Sequence, residues 1–203
     1  MNKPSVCRFL IFSLIIAPTL FVRASVAEQQ LKLLPEPKEV KQLDGEFRVG
    51  AETKILVEFG HQSEDRIAAE TLAEEITDQS GLKVEIEGAK AKTRSVASTI
   101  VLARLHDSPT VRQFLASKGL NADAAIGEQG YLLFSDKSHL IVAANSGQGL
   151  FYGVQTLRQL LRPEGKKLIC PAVAIRDWPN LDWRGAQDDI SRGAVPSPEF
   201  IKQ

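Results

Sequence analysis

The residues best suited to act on a polar substrate lie near the end of this 203-residue chain: the adjacent carboxylates Asp188 and Asp189, and the guanidinium groups of Arg184 and Arg192, eight positions apart. Paired carboxylates can share a proton and split their pKa values, which divides acid and base roles at one bond. Their context argues against that use here. The segment from Trp183 to Asp189 reads as a short strand, and neighbouring strand residues point to opposite faces. The two carboxylates therefore do not converge, and a solvated or arginine-paired role suits them better. Trp178 and Trp183 offer rings that can stack on a sugar or pack between domains. Asp177, ahead of Trp178-Pro179, reads as a turn residue.

Elsewhere the chemistry thins out. His61, His106 and His139 are isolated, with no partner at metal-ligand spacing, and read as surface histidines. Of the two cysteines, Cys170 sits in the apolar run Leu168-Ile169-Cys170-Pro171, the setting of a buried, inert thiol. Gly147-Gln148-Gly149 lies just before a helix but lacks the glycine pattern and Lys-Ser/Thr of a phosphate cradle, so helix packing explains it better. Glu74-Glu75 is expected on a solvated helix face.

The elements that must position these groups follow from hydrophobic period. Glu39 to Val49 and Lys54 to Phe59 read as strands, the second with Ile55, Val57 and Phe59 on one face. His61 to Ser80 has Ala69, Leu72, Ala73 and Ile76 on one helical stripe, with Gly81 as its stop. Lys83 to Glu87 alternates, and Thr99 to Ala103 is a more continuous apolar strand. Ser108-Pro109 opens a helix to about Lys118. Gly130 to Ser135 and His139 to Ala144 form a hairpin through Asp136-Lys137-Ser138. Gly147 to Arg162 is a second strong helix, with Leu150, Val154, Leu157 and Leu161 as its stripe and Pro163 stopping it. Lys167 to Ile175 is a final strand. Hairpins mixed with amphipathic helices predict an α+β fold, a mostly antiparallel sheet with helices packed on one face. After it, Trp183 to Asp189 and a helix starting at Ser197-Pro198 make one βα unit, the start of a larger domain.

Lys3 and Arg8 precede the apolar run Phe9 to Val22, and Ala24-Ser25-Val26-Ala27 supplies small residues for cleavage. Residues 1–27 are expected to be a signal peptide, too short and interrupted to make a stable membrane span. Without them the chain holds 22 Lys and Arg against 25 Asp and Glu, scattered, which disfavours nucleic acid or an anionic membrane as partner. The mature chain keeps Cys170 alone and can form no internal disulfide. The expected domains are residues 28–176, an α+β domain able to bury one core, and 177–203, the opening of a barrel.

One stretch is specific enough to suggest a family. GYLLFSDKSHLIVAANSGQGLFYGVQTLRQLL, from Gly130 to Leu161, resembles the domain that precedes the catalytic barrel in glycoside hydrolase family 20, the β-N-acetylhexosaminidases. Hyaluronidase-type and α-glucuronidase families carry similar domains. The tail discriminates: WRGAQDDISR resembles the opening barrel strand of family 20, and the Glu-Gly-Phe-Tyr-Gly text of the hyaluronidase-type family is missing. The resemblance covers roughly residues 35 to 203. It implies that Arg192 grips hydroxyls of the terminal sugar from the carboxyl end of the first barrel strand, a task suited to a planar, permanently charged fork. Asp189 would be a supporting carboxylate, and Arg184 structural, near the bottom of the strand. Family members place His and an aromatic residue after the Ser-Arg pair, where this chain has Gly193-Ala194-Val195.

The resemblance further implies an exported enzyme that removes terminal N-acetylhexosamine from glycans or chitin-type oligosaccharides with retention, needing no cofactor and no metal. In that family the substrate's own acetamido oxygen is the nucleophile, and an adjacent Asp-Glu pair late in the barrel supplies the orienting carboxylate and the acid. No Asp-Glu dipeptide occurs in this sequence. The chain alone is therefore expected to contain no catalytic residues and to hydrolyse nothing. The alternatives are a non-catalytic carbohydrate-binding or docking module, or a fragment of a related glycosidase such as an α-glucuronidase.

Overall fold

Three strands in the middle of the chain, β4 to β6 below, are buried at almost every position, and that decides the layering. The computed structural model describes residues 31–58, 62–89, 98–165, 167–185 and 197. Its strands are β1 (Glu39–Val49), β2 (Lys54–Glu58), β3 (Glu85–Ala89), β4 (Thr99–Arg104), β5 (Tyr131–Ser135), β6 (Leu140–Ala144), β7 (Arg162–Glu164) and β8 (Lys167–Asp177). Its helices are α1 (Gln62–Ser80), α2 (Pro109–Ser117) and α3 (Gly147–Leu160), with a short 3-10 turn at Ala124–Ile126. One sheet runs in the order β1-β8-β5-β6-β4-β2-β3, with β7 also pairing β8.

The expected α+β class holds, with two corrections. The sheet is mixed rather than mostly antiparallel. β1–β8, β8–β5, β5–β6 and β7–β8 are antiparallel, whereas β6–β4, β4–β2 and β2–β3 are parallel. The parallel half arises because β2 returns to β3 through α1, and β4 reaches β6 through α2 and β5; parallel neighbours need such crossovers. Helices also cover both faces, not one. Ile55, Val57, Ile100, Leu102, Leu133 and Val142 face α1 and α3. Leu56, Val101, Ala103, Leu132, Phe134 and Ile141 face the other way, into a second core with Val111 and Leu115 of α2. A strand apolar on both faces must be covered on both.

Local boundaries follow local chemistry. Ser108 caps α2, accepting from the Val111 amide, and Pro109 takes the first turn. Ser146 caps α3, accepting from the Gly149 amide at 3.1 Å. α3 stops at Leu160, two residues before the expected Arg162, because Arg162–Glu164 pairs with β8 around Pro163. β3 begins and ends two residues later than expected, and the expected end of β2 at Phe59 lies outside the described residues, as do residues 1–27. The hairpin between β5 and β6 turns on Asp136, whose carboxylate accepts from the amides of Ser138 (2.8 Å) and His139 (2.7 Å) and contacts His139 Nδ1 at 2.9 Å.

α3 lies unusually close to the sheet. A Cβ on Gly149 would stand 2.5 Å from the Gly130 carbonyl oxygen, and one on Gly153 would stand 2.4 Å from Val142 Cγ1. The glycines thus act in packing, as their place before an amphipathic stripe suggests. Across the same layer α1 meets α3, where Arg158 pairs with Glu75. Glu75 belongs to this contact and not to the solvated face expected for it. Buried Arg104, 4% exposed, ends β4 by donating to Asp65 at 2.8 Å, to Glu64 at 3.0 Å and to the Asn145 carbonyl at 3.2 Å. None of the described helices is long and apolar enough to cross a membrane.

Three outcomes check this packing. Leu157→Ala, at a fully buried position, should lower stability by about 2 to 5 kcal/mol in a urea melt, the range for emptied leucine sites. Gly149→Ala should destabilise despite alanine's higher helix propensity of about 1 kcal/mol, because the backbone oxygen cannot yield. Asp136 lies below its ordinary pKa of 3.8; burial opposes the shift, and the Ser138 and His139 amides and the His139 ring overcome it. A depressed carboxylate contributes stability above its unfolded pKa and loses it as pH falls through the folded value. Urea midpoints taken downward from pH 5 should therefore fall less for Asp136→Asn than for the parent chain.

Candidate functional site

Among the described residues, one concavity lies where the chain leaves the sheet. Tyr131, the first residue of β5, forms its floor, and its hydroxyl bonds Thr156 Oγ1 of α3 at 2.6 Å. Burial pushes the phenol well above its usual pKa, with the Asp177 carboxylate adding to the shift, so it stays protonated and acts as a polar strut. Tyr152, Gln155 and Gln159 line one wall from successive turns of α3, and Trp178 to Leu181 line the other. The cleft measures about 460 Å³.

Both ends of the domain are tied across this cleft. Gln159 bonds the Leu34 amide and carbonyl, each at 2.9 Å, and so holds the incoming chain to α3. Asp177 accepts from the Lys38 amide at 3.1 Å, and Lys38 Nζ reaches Asn180. The outgoing chain is held by Gln129, which donates to the Asp182 carbonyl at 2.9 Å and accepts from Arg184 at 2.7 Å. Arg184 also donates to the Leu181 carbonyl at 2.7 Å, and its guanidinium lies 5.4 Å from the Tyr152 ring centroid. Around this polar framework Leu34, Leu181 and Trp183 are 80%, 67% and 93% exposed.

Chemically, the cleft offers hydrogen bonds and ring faces without a nucleophile or an acid–base pair. One face of the Trp178 ring is taken by the Arg176 guanidinium, 4.5 Å from its centroid. Trp178 is therefore half committed to packing, and Trp183 alone presents a bare indole. Asp177 is not the turn residue expected: it is the last residue of β8, paired with Tyr131, and its carboxylate there accepts from the incoming chain. Asp188, Asp189 and Arg192 lie outside the described residues, as does His61. Trp183 to Gly185 are described and carry no strand pairing.

The remaining candidates lie away from this cleft. Cys170 is fully buried and its thiol is pushed up to about 12 by that burial, which makes it inert. His139, expected at the surface, is part-buried in the hairpin against Asp136 and Phe114, while His106 stands exposed beside Asp107. Among the described residues no three His, Cys, Asp or Glu side chains come together as a metal site. Gln129, Gln159, Lys38 and Tyr131 carry the cleft and bear no sequence signal, since isolated glutamines in loops and helices look like ordinary surface.

Comparison with known proteins fits this architecture. The family description Glycosyl hydrolase family 20, domain 2, matches residues 30–178. A β-hexosaminidase of Vibrio furnissii is 29% identical over 166 residues, covering 82% of this chain and 22% of that protein. A β-hexosaminidase of Porphyromonas gingivalis is 27% identical over 183 residues, covering 87% of this chain and 21% of that protein. The structure of a family-20 β-N-acetylhexosaminidase from Streptomyces coelicolor superimposes with a TM-score of 0.55 at 26% identity, over 75% of this chain and 27% of that one. The chain thus spans 21–22% of the length of the two curated relatives. With three quarters of its length matched by the family's second domain, the chain belongs to glycoside hydrolase family 20.

Proposed function

We propose that this chain is the amino-terminal portion of an exported β-N-acetylhexosaminidase. Residues 1–27 are its signal peptide, 28–176 its α+β domain, and 177–203 the first strand and first helical residues of its catalytic barrel. The whole enzyme would hydrolyse terminal non-reducing N-acetylhexosamine from glycans or chitin-type oligosaccharides by substrate-assisted, retaining catalysis. The observation that carries the reading is the match of residues 30–178 to the family's second domain, followed directly by the barrel-like text WRGAQDDISR.

In this reading the α+β domain supports rather than reacts. Leu34, Leu181 and Trp183, bare around the exit cleft, are the surface on which the barrel packs. Arg192 contributes paired hydrogen bonds to adjacent sugar hydroxyls, and Asp189 orients a neighbouring arginine. Orientation of the acetamido group and protonation of the leaving oxygen fall to an Asp-Glu pair that this sequence does not contain.

Two measurements test it. Purified 203-residue chain should release no nitrophenol from a nitrophenyl N-acetylglucosaminide; release above the uncatalysed rate would contradict the assignment of the chemistry to the rest of the barrel. In the complete enzyme, Arg192→Lys should lower kcat/KM by about 10-fold or more, since an ammonium cannot span two hydroxyls in one plane. Unchanged kinetic constants would remove Arg192 from the site.

A further inference from the structure

The cleft between α3 and the outgoing chain carries more hydrogen-bonding capacity than the folded domain uses. Gln155 gives its side-chain oxygen to Arg158 Nη1 at 2.8 Å and its main-chain oxygen to Gln159, and its Nε2 meets no described residue. On the facing wall Asn180 takes Lys38 Nζ on Oδ1, which leaves Nδ2 unspent. Among the described residues Lys38 Nζ makes that bond alone and keeps its other N–H groups. Glu36 lines the same cleft, with no hydrogen bond or ion pair to its carboxylate among the described residues. The Tyr152 hydroxyl accepts from Gln148 at 3.0 Å and still has a proton to give.

We propose that this cleft is a binding site for a neutral saccharide of one or two rings. Size, charge and the kind of group on offer each point that way. The cleft measures about 460 Å³, inside the range of about 300 to 1,000 Å³ typical of small-ligand sites. Its charges balance, Lys38 and Arg184 against Glu36 and Asp177, so an ionic ligand of either sign would meet a like charge as well as an opposite one. The unspent groups are amide and ammonium donors beside a carboxylate acceptor, set among the apolar surfaces of Pro179 and Trp178. A sugar ring matches that mixture: hydroxyls around its edge both donate and accept, and C–H groups on its faces lie against apolar carbon. Trp178 offers one ring face for this, because the Arg176 guanidinium occupies the other, 4.5 Å from the centroid. The Arg158 and Lys38 contacts already hold the Gln155 and Asn180 amides, so little ordering remains to be done when a ligand arrives. The site needs nothing beyond the α+β domain and the turn after β8, and it stands whether or not the whole protein is a glycosidase.

Titration of the 203-residue chain with N,N′-diacetylchitobiose or maltose, followed by amide NMR, tests the site. The side-chain amide signals of Gln155 and Asn180 should move and saturate with a dissociation constant on the order of 1 to 10 mM, as suits a small cleft open to water. Glucosamine and glucose 6-phosphate, charged in opposite senses, should each bind about 3-fold or more weakly than glucose. Gln155→Glu and Asn180→Asp keep the oxygen that Arg158 or Lys38 already uses and delete only the unspent donor. Each should weaken diacetylchitobiose binding roughly 3- to 10-fold, the loss of one hydrogen bond, with the rest of the spectrum unchanged. Trp183→Ala, which removes a bare indole outside the cleft lining, should leave binding as it is. No movement of either signal at roughly 50 mM sugar, or binding untouched by both donor deletions, overturns the site. Binding abolished by Trp183→Ala alone would mean adventitious stacking on an exposed ring and overturns it too, as does a charged sugar that binds more tightly than glucose.

Discussion

The approach of α3 to the sheet is the constraint on which the rest depends. Helix and strand backbones can come this near only because Gly149 faces the Gly130 carbonyl and Gly153 faces Val142, with no side chain between them. Leu150, Val154, Leu157 and Leu160 then fill the layer on either side of the contact. Close seating also fixes where the polar residues of α3 emerge. Thr156 meets the Tyr131 hydroxyl, Gln159 reaches the Leu34 backbone, and Tyr152 stands under Arg184. A side chain at 149 or 153 would lift the helix and pull all three contacts apart.

Two buried arginines hold the structure at places where the apolar core cannot. Arg104 joins β4 to the start of α1 through Asp65 and Glu64, with Asp65 itself fully buried. Arg176 ends β8 on the opposite side, pairing with Glu39 and Asp123 and bonding the Asn121 carbonyl at 3.2 Å. Taking either charge from water is costly unless its partners are present, so each ion pair acts mainly on specificity: a misdocked strand would leave a buried cation alone. Arg176 also faces the Trp178 ring, so the anchor at the end of β8 and the wall of the exit cleft are one assembly.

The cleft gathers both termini of the α+β domain, and its rim leaves Leu34, Leu181 and Trp183 uncovered. The polar clamps within the cleft add orientation, which apolar contact alone does not supply, because the hydrophobic effect has no preferred direction.

Much of this was legible in the residues themselves. Spacing alone located all three described helices and seven of the eight described strands to within a few positions, since a 3.6-residue or two-residue apolar period is a local property. The helix cap at Ser108, the packing role of Gly149, and the buried thiol of Cys170 are likewise local consequences of side-chain type. The pairing of strands was not legible: apolar alternation says that a strand has an inner face, not which neighbour it meets or in which direction. The second helical layer was not read from the sequence, which suggested helices on one face, because which helix covers the other face depends on the sheet order. Nor could the sequence reveal that Gln129, Tyr152 and Arg184 meet, because they are brought together by the seating of α3 on β5 and by the turn after β8. Local chemistry determined the pieces, and only tertiary packing decided their neighbours, because contacts between distant residues depend on the whole set of burials being satisfied at once.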